Sequence, residues 1–253
     1  MANTERVFGW HAVLATLRSH PERVVGLWLA PGDDGDRQRE LRGLAEAAGI
    51  TVQPCARRQL DEWVPGRHQG VVAQCRVAPP PGEQALSAHL AGLARPLLLV
   101  LDGVTDPHNL GACLRSADAA GVDAVIVPRD RSAGLTPVVR KVASGAAESV
   151  PLYVVTNLAR TLDELKQAGV WLVGAAGEAA QSLYEVDLAG PLALLLGAEG
   201  RGLRRLTRER CDFLVKIPMA GAVESLNVSV AAGVCLFEAR RQRLIAEKTS
   251  AAP

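Results

Sequence analysis

Leu97-Leu98-Leu99-Val100-Leu101-Asp102-Gly103-Val104-Thr105-Asp106-Pro107-His108-Asn109-Leu110-Gly111-Ala112-Cys113-Leu114-Arg115 decides the architecture of this chain. Five apolar residues without polar alternation read as a strand buried on both faces, the mark of a parallel sheet covered by helices. A polar turn follows, and Asn109 then stands where a helix N-cap belongs. Arg115 falls about one and a half turns into that helix, among Gly111, Ala112, Ser116 and Ala117. Taken alone, Asn109 reads as a simple cap and Arg115 as part of a solvated face. A large cation on a helix otherwise made of small residues also suits close approach by an anion.

The same pattern recurs on both sides of this stretch. Apolar strands are readable at Leu97–Leu101, Ala124–Val127, Leu152–Val155, Val170–Gly174, Leu192–Leu196 and Phe213–Ile217. Helical periodicity occupies Leu110–Ala120, Leu158–Ala168 and Leu226–Arg243. This predicts an open α/β domain with a parallel sheet, whose ligands bind beyond the carboxyl ends of the strands. Two further strand ends are unusual. Gly197-Ala198-Glu199-Gly200-Arg201-Gly202 is nearly bare of side chains, so a ligand could reach its backbone, and Glu199 sits in its middle. Ile217-Pro218-Met219-Ala220-Gly221-Ala222-Val223-Glu224-Ser225-Leu226-Asn227 runs from a strand into a helix with Ser225 as the expected N-cap. Leu226, Val230, Val234 and Phe237 form an apolar stripe read as core, and Pro218 and Met219 read as packing residues.

Val77-Ala78-Pro79-Pro80-Pro81-Gly82 marks a change of composition and reads as an extended linker. The expected division is a small α/β module over 1–77, a Pro-rich linker over 78–95 and the larger domain over 96–253. In the module, a helix is expected from His11 to Leu17. Strands are expected at Val24–Leu29, Thr51–Gln53 and Gly70–Cys75, and a second helix carries Leu41, Leu44, Ala45 and Ala48 and ends at Gly49. The 253 residues carry 28 Lys and Arg against 27 Asp and Glu, a net charge of +1, so nucleic-acid binding would have to come from local clusters. Arg201, Arg204, Arg205, Arg208 and Arg210 form one such cluster, and Arg57, Arg58 and Arg67 a second. Five scattered cysteines with no Cys-x-x-Cys pair read as buried free thiols, not as a disulfide framework or zinc site. No apolar run approaches the ~20 residues of a membrane helix, and no secretory signal is readable, so a cytoplasmic protein is expected. The P-loop, the Gly-x-Gly-x-x-Gly fingerprint, His-Glu-x-x-His and a true nucleophile elbow are all missing, which removes support for several nucleotide-binding, metallohydrolase and serine hydrolase classes.

Together the three strand ends resemble the signature motifs of the SpoU/TrmH-type RNA ribose methyltransferases of the SPOUT superfamily. Val7-Phe8-Gly9-Trp10-His11-Ala12-Val13 and His68-Gln69-Gly70-Val71-Val72-Ala73 resemble the two ends of the substrate-binding module in that family. The whole arrangement is most similar to bacterial enzymes that methylate the ribose of a guanosine in 23S rRNA. The resemblance implies a trefoil knot in the C-terminal domain, a homodimer with a composite active site, and S-adenosylmethionine held by Gly197, Ile217 and Leu226. It implies catalytic roles for Asn109, Arg115, Glu199, Ser225 and Asn227, and no metal. Because a guanidinium loses its proton only above ~12, Arg115 is expected to hold phosphate and steady a developing alkoxide, with deprotonation as the alternative. A tRNA ribose methyltransferase and a non-catalytic RNA-binding assembly factor are the competing readings. A nicotinamide-dependent oxidoreductase lacks its glycine fingerprint.

Overall fold

The computed structural model describes residues 4–32, 35–64, 66–77 and 80–250. It comprises two compact units: Met1–Pro79 together with Arg140–Ser149, and Pro80–Val139 together with Val150–Pro253. Ala78 and Pro79 of the expected linker, and residues 251–253 of the expected larger domain, lie outside the described residues.

The first unit is built from β1 (Thr4–Phe8), α1 (Trp10–Ser19), β2 (Val24–Leu29), α2 (Asp36–Ala47), β3 (Val52–Pro54), α3 (Arg57–Trp63) and β4 (Val71–Arg76). Its sheet runs β1-β4-β2-β3. Strand β1 pairs antiparallel with β4, setting Val7 opposite Ala73 and Phe8 opposite Val72, so the two outer motifs of the module are neighbours. The buried His68 side chain sits at the entry to β4: its Nδ1 accepts from Gly70 N (3.0 Å), which leaves Nε2 to donate to Asp61 (2.8 Å). As expected, α2 ends before Gly49, whose φ of +68° closes the helix in the left-handed region. The core is Val13, Leu14, Leu17, Leu27, Leu41, Val71 and Ala73. Residues Arg140–Ser149 belong to this unit and carry Glu148, a carboxylate only 2% exposed. Arg23 bridges Glu5 (3.1 Å) and Glu148 (3.3 Å), and Arg140 also binds both carboxylates, so each charge is paired twice. Gly145 (φ +101°) lies so close to α1 that a β-carbon there would sit 2.9 Å from His11 O.

The second unit begins with α4 (Glu83–Leu90), so the stretch read as an extended linker contains two turns of helix. Glu83 is the reason: its carboxylate accepts from Thr156 N at 2.6 Å and is held below the usual carboxylate pKa range by backbone hydrogen bonds. Then come β5 (Leu97–Asp102), α5 (Pro107–Ala120), β6 (Ala124–Pro128), β7 (Leu152–Val155), α8 (Leu158–Gln167), β8 (Trp171–Ala175), β9 (Gln181–Ser182), β10 (Leu192–Gly197), α9 (Arg205–Arg208), β11 (Phe213–Lys216) and α10 (Val228–Ser250). Between β6 and β7 the chain forms α6 (Pro137–Ala143), which belongs to the first unit from Arg140 onward, and α7 (Ala146–Ser149), which belongs to it entirely. The seven strands order as β7-β6-β5-β10-β8-β11-β9, and every registered pair is parallel. All six expected strands are present. Every residue of β5 and β6 is buried, as continuous apolar runs require.

Two helix starts differ from expectation. Asp106, not Asn109, caps α5: its carboxylate accepts from His108 N (3.1 Å), and Pro107 takes the first helical position, where a missing N–H costs nothing. Asn109 is thereby left in the first turn with its amide free for other work. Asn227, not Ser225, caps the last helix, its Oδ1 accepting from Ser229 N at 2.9 Å. The apolar stripe is also displaced. Val228, Ala232, Cys235, Leu236 and Ala239 face the core, whereas Val230 and Phe237 are each 51% exposed. A two-residue offset turns the face by about 200°, so the stripe read as core belongs to the outer side. Its inner side packs on α5, where Ser116 Oγ lies 3.8 Å from a β-carbon built at Gly233; Ser116 therefore serves helix packing.

The far end of α10 is anchored by Arg243, whose guanidinium donates to the carbonyls of Arg95 (3.0 Å), Pro96 (2.9 Å) and Gly190 (2.6 Å). Burial lowers its pKa. Arg243→Ala strands three carbonyls without their donor and should lower stability by about 2–4 kcal/mol in urea denaturation. An unchanged midpoint would mean that water replaces the guanidinium at no cost.

Candidate active site

The carboxyl ends of β8, β10 and β11 enclose a cavity of about 960 Å³. Gly197, Glu199, Ile217, Ser225, Leu226 and Asn227 all line it, so six of the eight residues singled out from sequence meet in one place. The segments bearing them are separated by up to thirty residues of chain, and only the parallel order of the sheet brings them together.

Asn109 reaches the same place from β5's end of the sheet. Its Nδ2 donates to Glu199 Oε1 (3.2 Å), its Oδ1 accepts from Asn227 Nδ2 (2.9 Å), and that same Nδ2 also donates to Glu199 Oε1. Both amides are thus oriented without ambiguity. Asn227 must turn its oxygen toward Ser229 N and Oγ (2.6 Å) to cap the helix, which leaves only its nitrogen to face Asn109 and Glu199. Three side chains from three strand ends form one closed hydrogen-bonded unit.

The bareness of the glycine loop has a different cause from the one expected. A β-carbon at Gly197 would sit 1.9 Å from the carbonyl carbon of Gly202 and 2.2 Å from Leu203 N, because Gly202 N donates back to Ala198 O (2.8 Å) and folds the loop over Gly197. Gly197 lacks a side chain to let the loop close on itself. Gly200 and Gly202, with nothing within 4 Å of a built β-carbon, are the positions that leave the backbone open.

Arg115 is exposed, does not line the cavity, and makes no hydrogen bond or ion pair among the described residues. The arginine cluster after the glycine loop is largely engaged in ion pairs within the chain. Arg204 binds the fully buried carboxylate of Asp102 through Nε and through its backbone N (3.0 Å), Arg205 pairs with Glu209 (2.6 Å), Arg208 with Glu178 and Arg210 with Asp163 (2.9 Å). Arg201 alone of the five has no ion pair among the described residues, and it lines the cavity. In the first unit Arg58 pairs with Glu62 (3.8 Å), while Arg57 and Arg67 have no ion pair among the described residues. Sequence reading missed the loop Ala175-Ala176-Gly177-Glu178 and also assigned Met219 to packing, yet all five line the cavity. The signal existed: this loop too is a run of small residues at a parallel strand's carboxyl end.

All five cysteines are free. Burial pushes the thiols of Cys75, Cys113 and Cys235 up to about 12 and that of Cys211 to about 11, so none is a thiolate at neutral pH. The polar side chains lining the cavity are the carboxylates of Glu178, Glu199 and Glu224, the Asn227 amide, the Ser225 hydroxyl and the guanidinium groups of Arg201 and Arg208.

Comparison with known proteins places this arrangement. The model of the SpoU rRNA Methylase family matches residues 96–237, and that of the RNA 2'-O ribose methyltransferase substrate binding family matches residues 6–81. The chain belongs to the SpoU rRNA methylase family. It is 60% identical over 246 residues to the 23S rRNA (guanosine-2'-O-)-methyltransferase RlmB of Pseudomonas putida, covering 97% of this chain and 99% of that protein. It is 61% identical over 244 residues to RlmB of Pseudomonas aeruginosa, covering 96% and 98%. Among solved structures, the SpoU methyltransferase AviRb from Streptomyces viridochromogenes, in complex with AdoMet, superposes with a TM-score of 0.78 at 27% identity, over 96% of this chain and 91% of that one. The SpoU assignment agrees with the resemblance carried by the three strand-end motifs.

Proposed function

We propose that this SpoU protein transfers a methyl group from S-adenosylmethionine to the ribose 2′-hydroxyl of a guanosine in 23S rRNA. The observation that carries the reading is the closed Asn109–Glu199–Asn227 unit beside the glycine-walled cavity. Near-complete coverage of the 23S rRNA enzymes supports that substrate over tRNA.

The cavity suits the donor. Its volume lies at the upper end of the ~300–1,000 Å³ typical of small-molecule sites. Its wall alternates apolar side chains (Ile217, Leu226) with open backbone at Gly200 and Gly202, and it carries the carboxylates Glu178, Glu199 and Glu224. Gly197, Ile217 and Leu226 would hold the nucleoside part through backbone groups, and the carboxylates favour a cation. When bound, S-adenosylmethionine supplies an electrophilic methyl group on a positively charged sulfur. Asn109, Glu199 and Asn227 then fix the geometry of the ribose, with Ser225 offering a hydroxyl at the same wall. Alignment of this kind is worth up to ~7–11 kcal/mol.

As the methyl group passes from sulfur to the 2′-oxygen and the hydroxyl's proton leaves to solvent, the protonated Arg115 guanidinium supplies positive charge at that oxygen and holds the neighbouring phosphate. Its separation from the cavity of its own chain supports a homodimer in which it completes the partner's site. The exposed apolar side chains of α10 (Val230, Phe237, Leu244 and Ile245) support the same assembly, since such a row is costly to leave in water. A trefoil knot around the cavity and a cytoplasmic location complete the reading.

The test is methylation of 23S rRNA from a deletion strain by purified protein with radiolabelled S-adenosylmethionine, followed by mapping of 2′-O-methyl groups. A single labelled guanosine ribose, unlabelled in control RNA from the parent strain, is the expected result. Label in tRNA only, or none, would overturn it.

A further inference from the structure

A second cavity, of about 460 Å³, opens at the carboxyl ends of β6 and β7 and touches none of the residues assigned to cofactor binding or catalysis. It is lined by Asp130, Thr156, Asn157, Ala159, Arg204 and Arg205 among others. One continuous stretch of chain separates it from the first cavity: Leu196–Leu203 line the first, and Arg204–Thr207 line the second. The buried Asp102 carboxylate, at the end of β5, clamps Arg204 and so fixes this dividing wall. Adjacent strands lie ~4.8 Å apart, which puts β7 roughly 10 Å along the sheet edge from β5, the strand that leads into α5 and Asn109.

Arg204 and Arg205 are spent on Asp102 and Glu209, but other polar groups of the wall are not. Asn157 Oδ1 accepts from Arg160 N (3.1 Å), and its Nδ2 has no acceptor among the described residues. Asp130 and the Thr156 hydroxyl have no partner among the described residues. An acceptor-only carboxylate in the wall argues against a bare anion, and a mixed donor and acceptor set matches the edge of a nucleobase. Cations flank the cavity on the Asp130 loop. Arg129 and Arg131 are exposed and unpaired among the described residues, in contrast to the paired arginines after the glycine loop. The loop is held rigidly: Arg129 N donates to Val155 O (2.8 Å) and Ala133 N to Val104 O (2.9 Å). Arg131 has a φ of +60°, a left-handed backbone that non-glycine residues rarely adopt.

We infer that the cavity at the ends of β6 and β7 is a second nucleotide subsite, taking the unstacked base next to the methylated residue while Arg129 and Arg131 grip the phosphates of that strand. The inference rests on the RNA methyltransferase reading and adds to it a place where the neighbouring base is inspected. Structured RNA is read in this way, through splayed bases on a charged platform.

Two variants of the full chain test it: the double substitution Arg129→Ala with Arg131→Ala, and Ala159→Trp, which plugs the cavity from a half-exposed position. On 23S rRNA, both should raise KM for RNA about tenfold, the effect of losing one base or phosphate contact. Both should leave kcat and the Kd for S-adenosylmethionine within twofold. The double variant should also flatten the dependence of log K on log salt by about 0.7 per lost phosphate contact. Unchanged KM and salt slope, or a loss confined to kcat or to cofactor binding, would overturn the subsite. Failure of the parent reading shows separately, as no methyl transfer by the unsubstituted protein. The same variants are then compared by gel-shift binding to the 23S transcript, where weaker binding by both upholds the subsite and equal Kd values overturn it.

Discussion

Arg115→Ala should lower kcat for RNA methylation by about 10²–10³-fold, the usual cost of removing one preorganised charge from a transition state, while S-adenosylmethionine binds as before. The split follows from position. Arg115 touches neither the cavity wall nor the Asn109–Glu199–Asn227 unit of its own chain, and its proposed contacts in the partner's site are to the RNA hydroxyl and phosphate, so cofactor affinity has no reason to change. A stronger form of the prediction concerns which chain the arginine serves. Arg115→Ala and Glu199→Ala proteins are each expected to be inactive alone. Mixed and allowed to exchange subunits, they should recover about a quarter of the wild-type sites, since half the two-fold dimers are mixed and each holds one intact site. No recovery would place Arg115 in its own chain's site. Wild-type turnover by Arg115→Ala would remove it from the chemistry altogether.

Gly197→Ala should abolish S-adenosylmethionine binding and lower stability by about 1–3 kcal/mol or more. The added methyl would fall 1.9–2.2 Å from the backbone of Gly202 and Leu203, where no rotamer change can relieve the clash. The loop must then open, breaking the Gly202 N to Ala198 O bond and the wall of the cavity with it. Gly200→Ala is the control. Its φ of +72° makes alanine strained by about 1 kcal/mol, but nothing lies within 4 Å of the new atom, so the cavity keeps its shape. Isothermal titration with S-adenosylmethionine and thermal unfolding read both outcomes. Equal binding by Gly197→Ala would show that the loop's fold-back is dispensable.

Legibility in the sequence followed a physical divide. The six expected strands were readable because a strand buried on both faces is apolar nearly throughout, and these runs are too short and too closely bounded by polar or turn residues to be buried helices. Strand β1 was not read, since Thr4–Phe8 is polar on one side and carries its burial on Val7. The helix starts were misplaced by three residues at Asn109 and two at Ser225, because several polar residues at each start could cap and only tertiary contacts choose between them. The α10 stripe shows the same limit: apolar periodicity identifies a face without saying what covers it. The site residues were readable as motifs, but their mutual hydrogen bonds were not, nor was the absorption of four cluster arginines by acidic partners spread from Asp102 to Glu209.

The pairing of Glu148 with Arg23 and Arg140 has a bearing on how this protein can be taken apart. A fragment ending at Arg76 would keep Glu5 and Arg23 yet forfeit the carboxylate and guanidinium that neutralise them, together with the glycine against which α1 is laid. The amino-terminal module is therefore no free-standing cassette. Grafting it onto another enzyme, or deleting it from this one, severs an ionic lock whose key is supplied from the middle of the chain.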